Sequence, residues 1–433
     1  MEKKKHFLSW YFDSNLIFRI LIGLVLGAIA GLIFQDKILW IRPFGDAFIR
    51  LLMMIMVPII FSTLVVGAAS VSPSQLGKVG FRILLIYVFT SFIAVGTGLL
   101  MAAIYRPSVN LGTIGEVAGR AAETPPLPQI LLNIIPTNIV TALGVHAAPV
   151  GGPNLLGIIF FTLCFGMAIS IIRTTGDARM KAAAETVYNF FDGVAEVVMK
   201  IIKGIMQYAP IGVFALVAVV FAVNGSRVIG GLATVTLACY TGYISYIVIW
   251  YLLICVKLIG GLSIKRFVRN AKDAFITGFV TRSSNGTLPV TMECAVKLGI
   301  PKNVYSFALP LGATINMDGT AIYQGVCSVF IALSVWGHGF DMAQIGIVLV
   351  TATLATIGTA GVPGAGAIML LMVLTAVGLP VEAGTAAAAA YAMILGIDAL
   401  LDMGRTAINV VGDLVYCTSL CKRMGTLEMD KWS

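Results

Sequence analysis

Residues 341–379 read DMAQIGIVLVTATLATIGTAGVPGAGAIMLLMVLTAVGL. Two apolar arms flank the small-residue run GTAGVPGAG at 358–366, and each falls short of the roughly 20 apolar residues that cross a hydrocarbon core. Such a segment is expected to enter and leave a membrane on the same side, as a re-entrant helical hairpin. Backbone that leaves helical geometry at membrane depth must be buried in protein or line a wet cavity. A tip of small residues suits that requirement better than the bulkier residues of an ordinary kinked span. Residues 263–298 repeat the design around Ser283-Ser284-Asn285-Gly286. Between the two, residues 301–335 form an apolar helix interrupted at Asn316-Met317-Asp318-Gly319-Thr320. A hairpin followed by a spanning helix, twice over and from opposite sides, predicts an inverted repeat.

The rest of the chain agrees with a membrane setting. It has 433 residues, 58% of them hydrophobic and 11% charged, and a mean hydropathy of +0.96, as in a polytopic membrane protein. Apolar stretches at 16–34, 44–70, 81–105, 154–172, 190–223 and 229–259 are long enough to span, with proline kinks at Pro58 and Pro210. The first is not a cleavable signal peptide, because it is long, lacks a small-residue cleavage site and is followed by many more spans. Residues 106–154, with TPPLPQ and HAAPVGGPN, read as an extracellular excursion interrupting a broken fourth helix. Residues 173–185 read as a cytoplasmic linker. The net charge of +9 is spread along the chain, so a nucleic-acid patch is excluded. The basic residues favour alternate loops: 3–5, 78 and 82, 173–181, 257–272, 297–302 and 422–423. This bias predicts both termini in the cytoplasm and a multi-pass protein of the inner (plasma) membrane. Seven cysteines without a CxxC pattern read as packing residues. His6, His146 and His338 lie in a terminus and two loops.

Function is written in the last long helix, GIDALLDMGRTAINVVGD at 396–413. Asp398, Asp402, Arg405, Asn409 and Asp413, with Thr406 beside them, fall in one stripe roughly 80–100° wide on an otherwise apolar helix. Ionisable groups inside a membrane usually face a cavity and mark a substrate or ion path. Asp318 adds a fourth carboxylate, and Arg282 at the first hairpin tip a second cation. A surplus of buried carboxylate must protonate or bind cations. The accompanying donors (Thr314, Asn316, Thr320, Thr356, Asn409 and unwound carbonyls) are hard oxygens, which suit Na⁺ better than zinc or copper. Arg405 suits a bidentate grip on a planar carboxylate. Asp402, about one turn earlier, suits an ammonium, so the pair fits an acidic amino acid. A plain intrahelical Asp402–Arg405 salt bridge is the alternative, but it leaves the other carboxylates unexplained. An aspartyl or serine intramembrane protease is disfavoured, since Ser283 lacks a histidine partner and Arg405 stands among the aspartates. A pure anion channel is disfavoured by the hinged, charged site.

TRSSNGTLPVTM (281–292), LGATINMDGTAIYQGV (311–326), ATIGTAGVPGAGAIML (355–370) and GIDALLDMGRTAINVVGD (396–413) resemble the dicarboxylate/amino acid:cation symporters, the glutamate transporter family. PFGDAFIRLLMMIMVPIIFSTLVVGAAS (43–70) and MQYAPIGVFALVA (206–218) extend the likeness over nearly the whole chain, most of all to archaeal sodium/aspartate symporters. The resemblance implies an all-α homotrimer with eight transmembrane helices, two re-entrant hairpins, inverted repeats and elevator-type transport. It implies scaffold helices 1–2 in residues 1–75, transport-domain helix 3 in 76–110, and scaffold helices 4–5 in 111–225. The transport domain continues through 226–433, with hairpin 1 at 263–298, helix 7 at 301–335, hairpin 2 at 341–379 and helix 8 at 383–421.

By the same resemblance Arg405 holds the substrate side-chain carboxylate and Asp402 its amino group. Thr320, Thr406 and Asn409 add side-chain contacts, and Arg282, Ser283, Ser284, Val362 and Gly366 close the site. Three sodium sites are implied: Gly312, Asn316, Asn409 and Asp413; Thr314, Thr356, Ile357 and Thr359; and Tyr87, Thr90 and Ser91 (within YVFTS, 87–91) with Asn316 and Asp318. The expected activity is Na⁺-coupled symport of L-aspartate or L-glutamate, without enzymatic chemistry; the alternative is a proton-coupled glutamate or dicarboxylate carrier of the same fold. Some relatives not coupled to sodium carry Asn at the position of Asp413, and vertebrate-type carriers carry a proton-linked glutamate at that of Gln324. Asp413 here suggests sodium, and Gln324, which cannot titrate, argues against proton cotransport by that route. The sequence departs from the family pattern at Asn285 and Thr356, where serine is frequent, and at 144–154.

Overall fold

The computed structural model describes residues 16–431 apart from 71–72, 110, 112–131, 133–134, 144–154 and 383. His6, His146, the basic residues at 3–5, and the TPPLPQ and HAAPVGGPN runs lie outside the described residues. The described residues are helical, without a strand. Helix α1 (Leu16–Phe34) leads through a 3₁₀ segment (Gln35–Ile41) into α2 (Arg42–Ser70) and α3 (Pro73–Tyr105). A single turn at Ile139–Ala142 precedes α4 (Leu155–Arg173), the 47-residue α5 (Ala178–Asn224) and α6 (Arg227–Ser245). Among the described residues, six stretches are long and apolar enough to cross a membrane.

Helices α1, α2, α4 and α5 pack on one another. Gly23, Gly27 and Gly31 recur every fourth residue along α1, and a Cβ at any of them would strike the α5 backbone at Pro210, Phe214 or Ala218. Small residues at this spacing let two membrane helices approach closely. Outward-facing residues are apolar, such as Phe18 and Ile33 on α1 and Phe190 and Val197 on α5, as a lipid-facing surface requires.

Residues 173–185 are mostly helix rather than linker. Asp177 caps α5 by accepting from the N–H groups of Arg179 and Met180, and Arg173 binds Glu185 at 3.0 Å. The cap starts the helix a dozen residues before the apolar run begins. The stretch at 229–259 is also not uniform: α6 passes at Tyr246 into a π-helix, Tyr246–Ile259.

Both hairpins form. Helices α7 (Ile264–Thr281) and α8 (Ser284–Lys297) are separated by two residues. Arg282 turns the chain with a left-handed φ of 55°, and the Ser283 hydroxyl caps α8 by accepting from Gly286 N–H. Helices α11 (Met342–Ile357) and α12 (Ala365–Ala376) form the second hairpin, and α11 begins in a capping box between Asp341 and Gln344. The interrupted helix between them is α9 (Lys302–Ile315) and α10 (Asp318–Trp336). The final helix, α13 (Ala386–Arg423), packs on α10, α7, α9 and α8. Six of the seven cysteines are buried and none is in a disulfide; Cys164 is exposed on α4.

Candidate functional site

All the expected polar residues of α13 are interior: Asp402, Arg405 and Asp413 are each 2% exposed. The Arg405 guanidinium binds Asp402 Oδ1 through Nη2 at 2.8 Å and Asp398 Oδ1 through Nη1 at 3.2 Å. Its Cζ lies 4.5 Å from the centroid of the Tyr323 ring, a cation–π contact from α10. Asp402 also accepts from Thr406 Oγ1 at 3.0 Å and from Gly364 N–H at 3.2 Å. The second bond ties the carboxylate to the tip of the second hairpin. Asp398 and Tyr323 were not among the expected ligands. Asp398 was legible as a member of the stripe; Tyr323 gave no sequence signal beyond a hydroxylated ring in an apolar helix.

The two hairpin tips touch. Ser283 Oγ donates to Gly361 O at 2.8 Å, and Asn285 N–H donates to the same oxygen at 3.1 Å. The departure at Asn285 therefore leaves a main-chain contact at the tip. Beneath the tips a small cavity brings together Arg282, Ser284, Thr320, Val362, Gly366, Asp402, Arg405, Thr406 and Asn409. Nine of the ten expected substrate residues thus share one space, and Ser283 holds its roof. A Cβ at Gly366 would come within 2.7 Å of Arg405 Nη1, so a side chain there would displace the guanidinium. Asn409 Oδ1 accepts from Gly319 N–H at 2.8 Å, which fastens α10 to α13.

The expected cation residues behave in three ways. Asn316 Nδ2 donates to Asp413 Oδ1 at 2.9 Å, and a Cβ at Gly312 would strike the same carboxylate. Gly312, Asn316 and Asp413 therefore meet, while the Asn409 side chain turns to Gly319 and Thr320. Thr314, Ile357 and Thr359 line one larger cavity; Thr356 is fully buried and donates to Thr353 O. In the third set Ser91 Oγ lies 3.4 Å from Asp318 Oδ1, while the Tyr87 hydroxyl donates away to Ala308 O. Asn316 Oδ1 is buried without a hydrogen-bond partner. An orphaned acceptor among hard oxygens, beside two buried carboxylates, fits an alkali cation.

The larger cavity, about 830 Å³, runs between α2 and α5 on one side and the hairpin tips with α9 on the other. Thr63 Oγ1 donates across it to Gly358 O at 3.0 Å.

Paired broken helices, tips closing over a buried Arg–Asp cluster and oxygen-lined pockets define a helical membrane transporter. The profile of the Sodium:dicarboxylate symporter family matches residues 16–423. A proton/sodium-glutamate symport protein of Bacillus caldotenax is 34% identical, over 96% of this chain and 96% of its own. A proton/glutamate-aspartate symporter of Bacillus subtilis (strain 168) is 32% identical, again over 96% of both. Excitatory amino acid transporter 3 of Mus musculus is 29% identical, over 99% of this chain and 87% of its own. The chain belongs to the sodium:dicarboxylate symporter family; it is a multi-pass membrane symporter and not an enzyme.

Proposed function

We propose that this protein couples the uptake of an acidic amino acid, L-aspartate or L-glutamate, to the inward movement of Na⁺. The observation that carries this is the Arg405 guanidinium, held between Asp398, Asp402 and Tyr323 and lining a small cavity shared with both hairpin tips. A substrate carboxylate takes the guanidinium in place of Asp402, and Asp402 takes the ammonium, so each charge keeps a partner. The relatives are named for glutamate and glutamate–aspartate symport, which supports the same substrate class.

Charge balance supports cation coupling. Asp318, Asp398, Asp402 and Asp413 oppose Arg282 and Arg405, all under 9% exposed, leaving two negative charges in surplus. An acidic amino acid adds a third, and buried charge without compensation is untenable. Three monovalent cations would neutralise the loaded site, in line with the three oxygen-lined sets. Gln324, whose amide atoms have no hydrogen-bond partner, cannot titrate, so it provides no proton route. Proton coupling, which the names of several relatives include, is the competing reading.

We also propose an elevator. Helices α1, α2, α4 and α5 form the scaffold and α3 with α6–α13 the moving body. The wide cavity between them is lined from α5 and α9, two helices that follow basic loops expected in the cytoplasm, which supports an inward-facing reading of this conformation. The test is equilibrium binding of labelled L-aspartate to purified protein in Na⁺ and in choline, with L-glutamate and succinate as competitors. Sodium-dependent binding displaced by L-glutamate is expected; preferential displacement by succinate would overturn the amino-acid assignment.

A further inference from the structure

Asp318 opens α10 and is fully buried, and its two oxygens are treated unequally. Oδ2 accepts from the Tyr416 hydroxyl at 2.5 Å and from the Tyr251 hydroxyl at 2.9 Å. Oδ1 accepts from Ser91 Oγ, at the longer distance of 3.4 Å. Asn316 Oδ1, two residues before, is buried and unpartnered. One carboxylate oxygen is thus saturated by tyrosines, while the other stays with the oxygens expected to hold a cation.

We infer that Tyr251 and Tyr416 are positioning residues for the cation site at Asp318, fastening Oδ2 so that Oδ1 stays turned toward Ser91. Charge-assisted O–H···O⁻ bonds of this length are the strong ones, and two of them on one oxygen fix the plane of the carboxylate. Outer partners of this kind orient a ligand without touching the ion.

The backbone is built for it. In an α-helix residues five apart point to nearly opposite sides. Tyr246 and Tyr251 are five apart, but they lie on the π-helix Tyr246–Ile259, whose hydrogen bonds reach back five residues, as Gly260 N–H does to Cys255 O at 2.9 Å. Both rings therefore turn to the same place. Tyr246 donates to the carbonyl of Thr90, another expected cation residue, at 2.9 Å, and the ring centroids of Tyr246 and Tyr251 are 5.1 Å apart. Gly412 completes the fit, because a Cβ there would strike the Tyr251 hydroxyl.

The inference rests on the sodium-coupled reading, and one experiment separates the two. The Tm of purified, substrate-free protein is measured against Na⁺ concentration, with choline as replacement, for wild type, Tyr416→Phe, Tyr251→Phe and Tyr208→Phe. The last removes a tyrosine hydroxyl bonded to Phe44 O in the scaffold. Each change deletes one hydroxyl and keeps the ring, and the Tm in choline reports the fold. Tyr416→Phe and Tyr251→Phe are expected to raise the half-saturating Na⁺ concentration about tenfold, as loss of an outer partner does at other metal sites, while Tyr208→Phe lowers Tm without moving the midpoint. Midpoints equal to wild type in both site variants would overturn the positioning role and leave sodium coupling standing. A wild type whose Tm ignores Na⁺ would overturn both.

Discussion

Arg405 is held by charge and by shape. Its fork meets Asp398 and Asp402, its face meets Tyr323, and lysine reproduces only the charge. Arg405→Lys should therefore fold, keep the aspartates neutralised and lose the bidentate grip. A lost charged hydrogen bond is worth about 1.5–3 kcal/mol, so L-aspartate affinity should fall roughly ten- to a hundredfold; isothermal titration giving unchanged affinity would refute its role. Gly312→Ala places a methyl group where the Asp413 carboxylate lies, so the sodium concentration that half-saturates aspartate binding should rise, and an unmoved sodium titration would count against that cation set. The α13 stripe was legible because its period matches the helix and its charges are costly in lipid. Tyr251, Tyr323 and Tyr416 were not, because their roles come from contacts between elements and, for Tyr251, from a π-helical turn that hydropathy does not reveal.

At the scale of elements, the short arms and small-residue tips were legible because length and side-chain size set what a membrane helix does. The contact between the tips was not, since it joins residues 78 apart through one carbonyl. Ser283 both caps α8 and holds that carbonyl. Ser283→Ala removes the cap, worth about 1 kcal/mol, together with the latch, so dissociation of labelled L-aspartate should accelerate roughly fivefold by the same arithmetic. A chase experiment with an unchanged release rate would show that the second hairpin closes without it. The start of α5 was misread as linker because its cap, Asp177, lies in a charged run that composition alone assigns to a loop.

For the whole molecule, the proposed scaffold and the proposed moving body meet across a cavity bridged by Thr63 and Gly358. If the body travels past the scaffold, the pair Thr63→Cys and Gly358→Cys, joined by a mercuric ion in a background lacking Cys164, should bind L-aspartate yet fail to transport it. Full uptake by the cross-linked protein would contradict the elevator. On the elevator reading, coupling belongs to this scale too, because the charge of the loaded body decides whether it can cross. The most direct measurement is uptake of labelled L-aspartate into proteoliposomes, driven by an inward Na⁺ gradient or, separately, by a pH gradient without Na⁺. Accumulation with Na⁺ alone is the predicted result. Accumulation driven by the pH gradient alone would contradict sodium coupling.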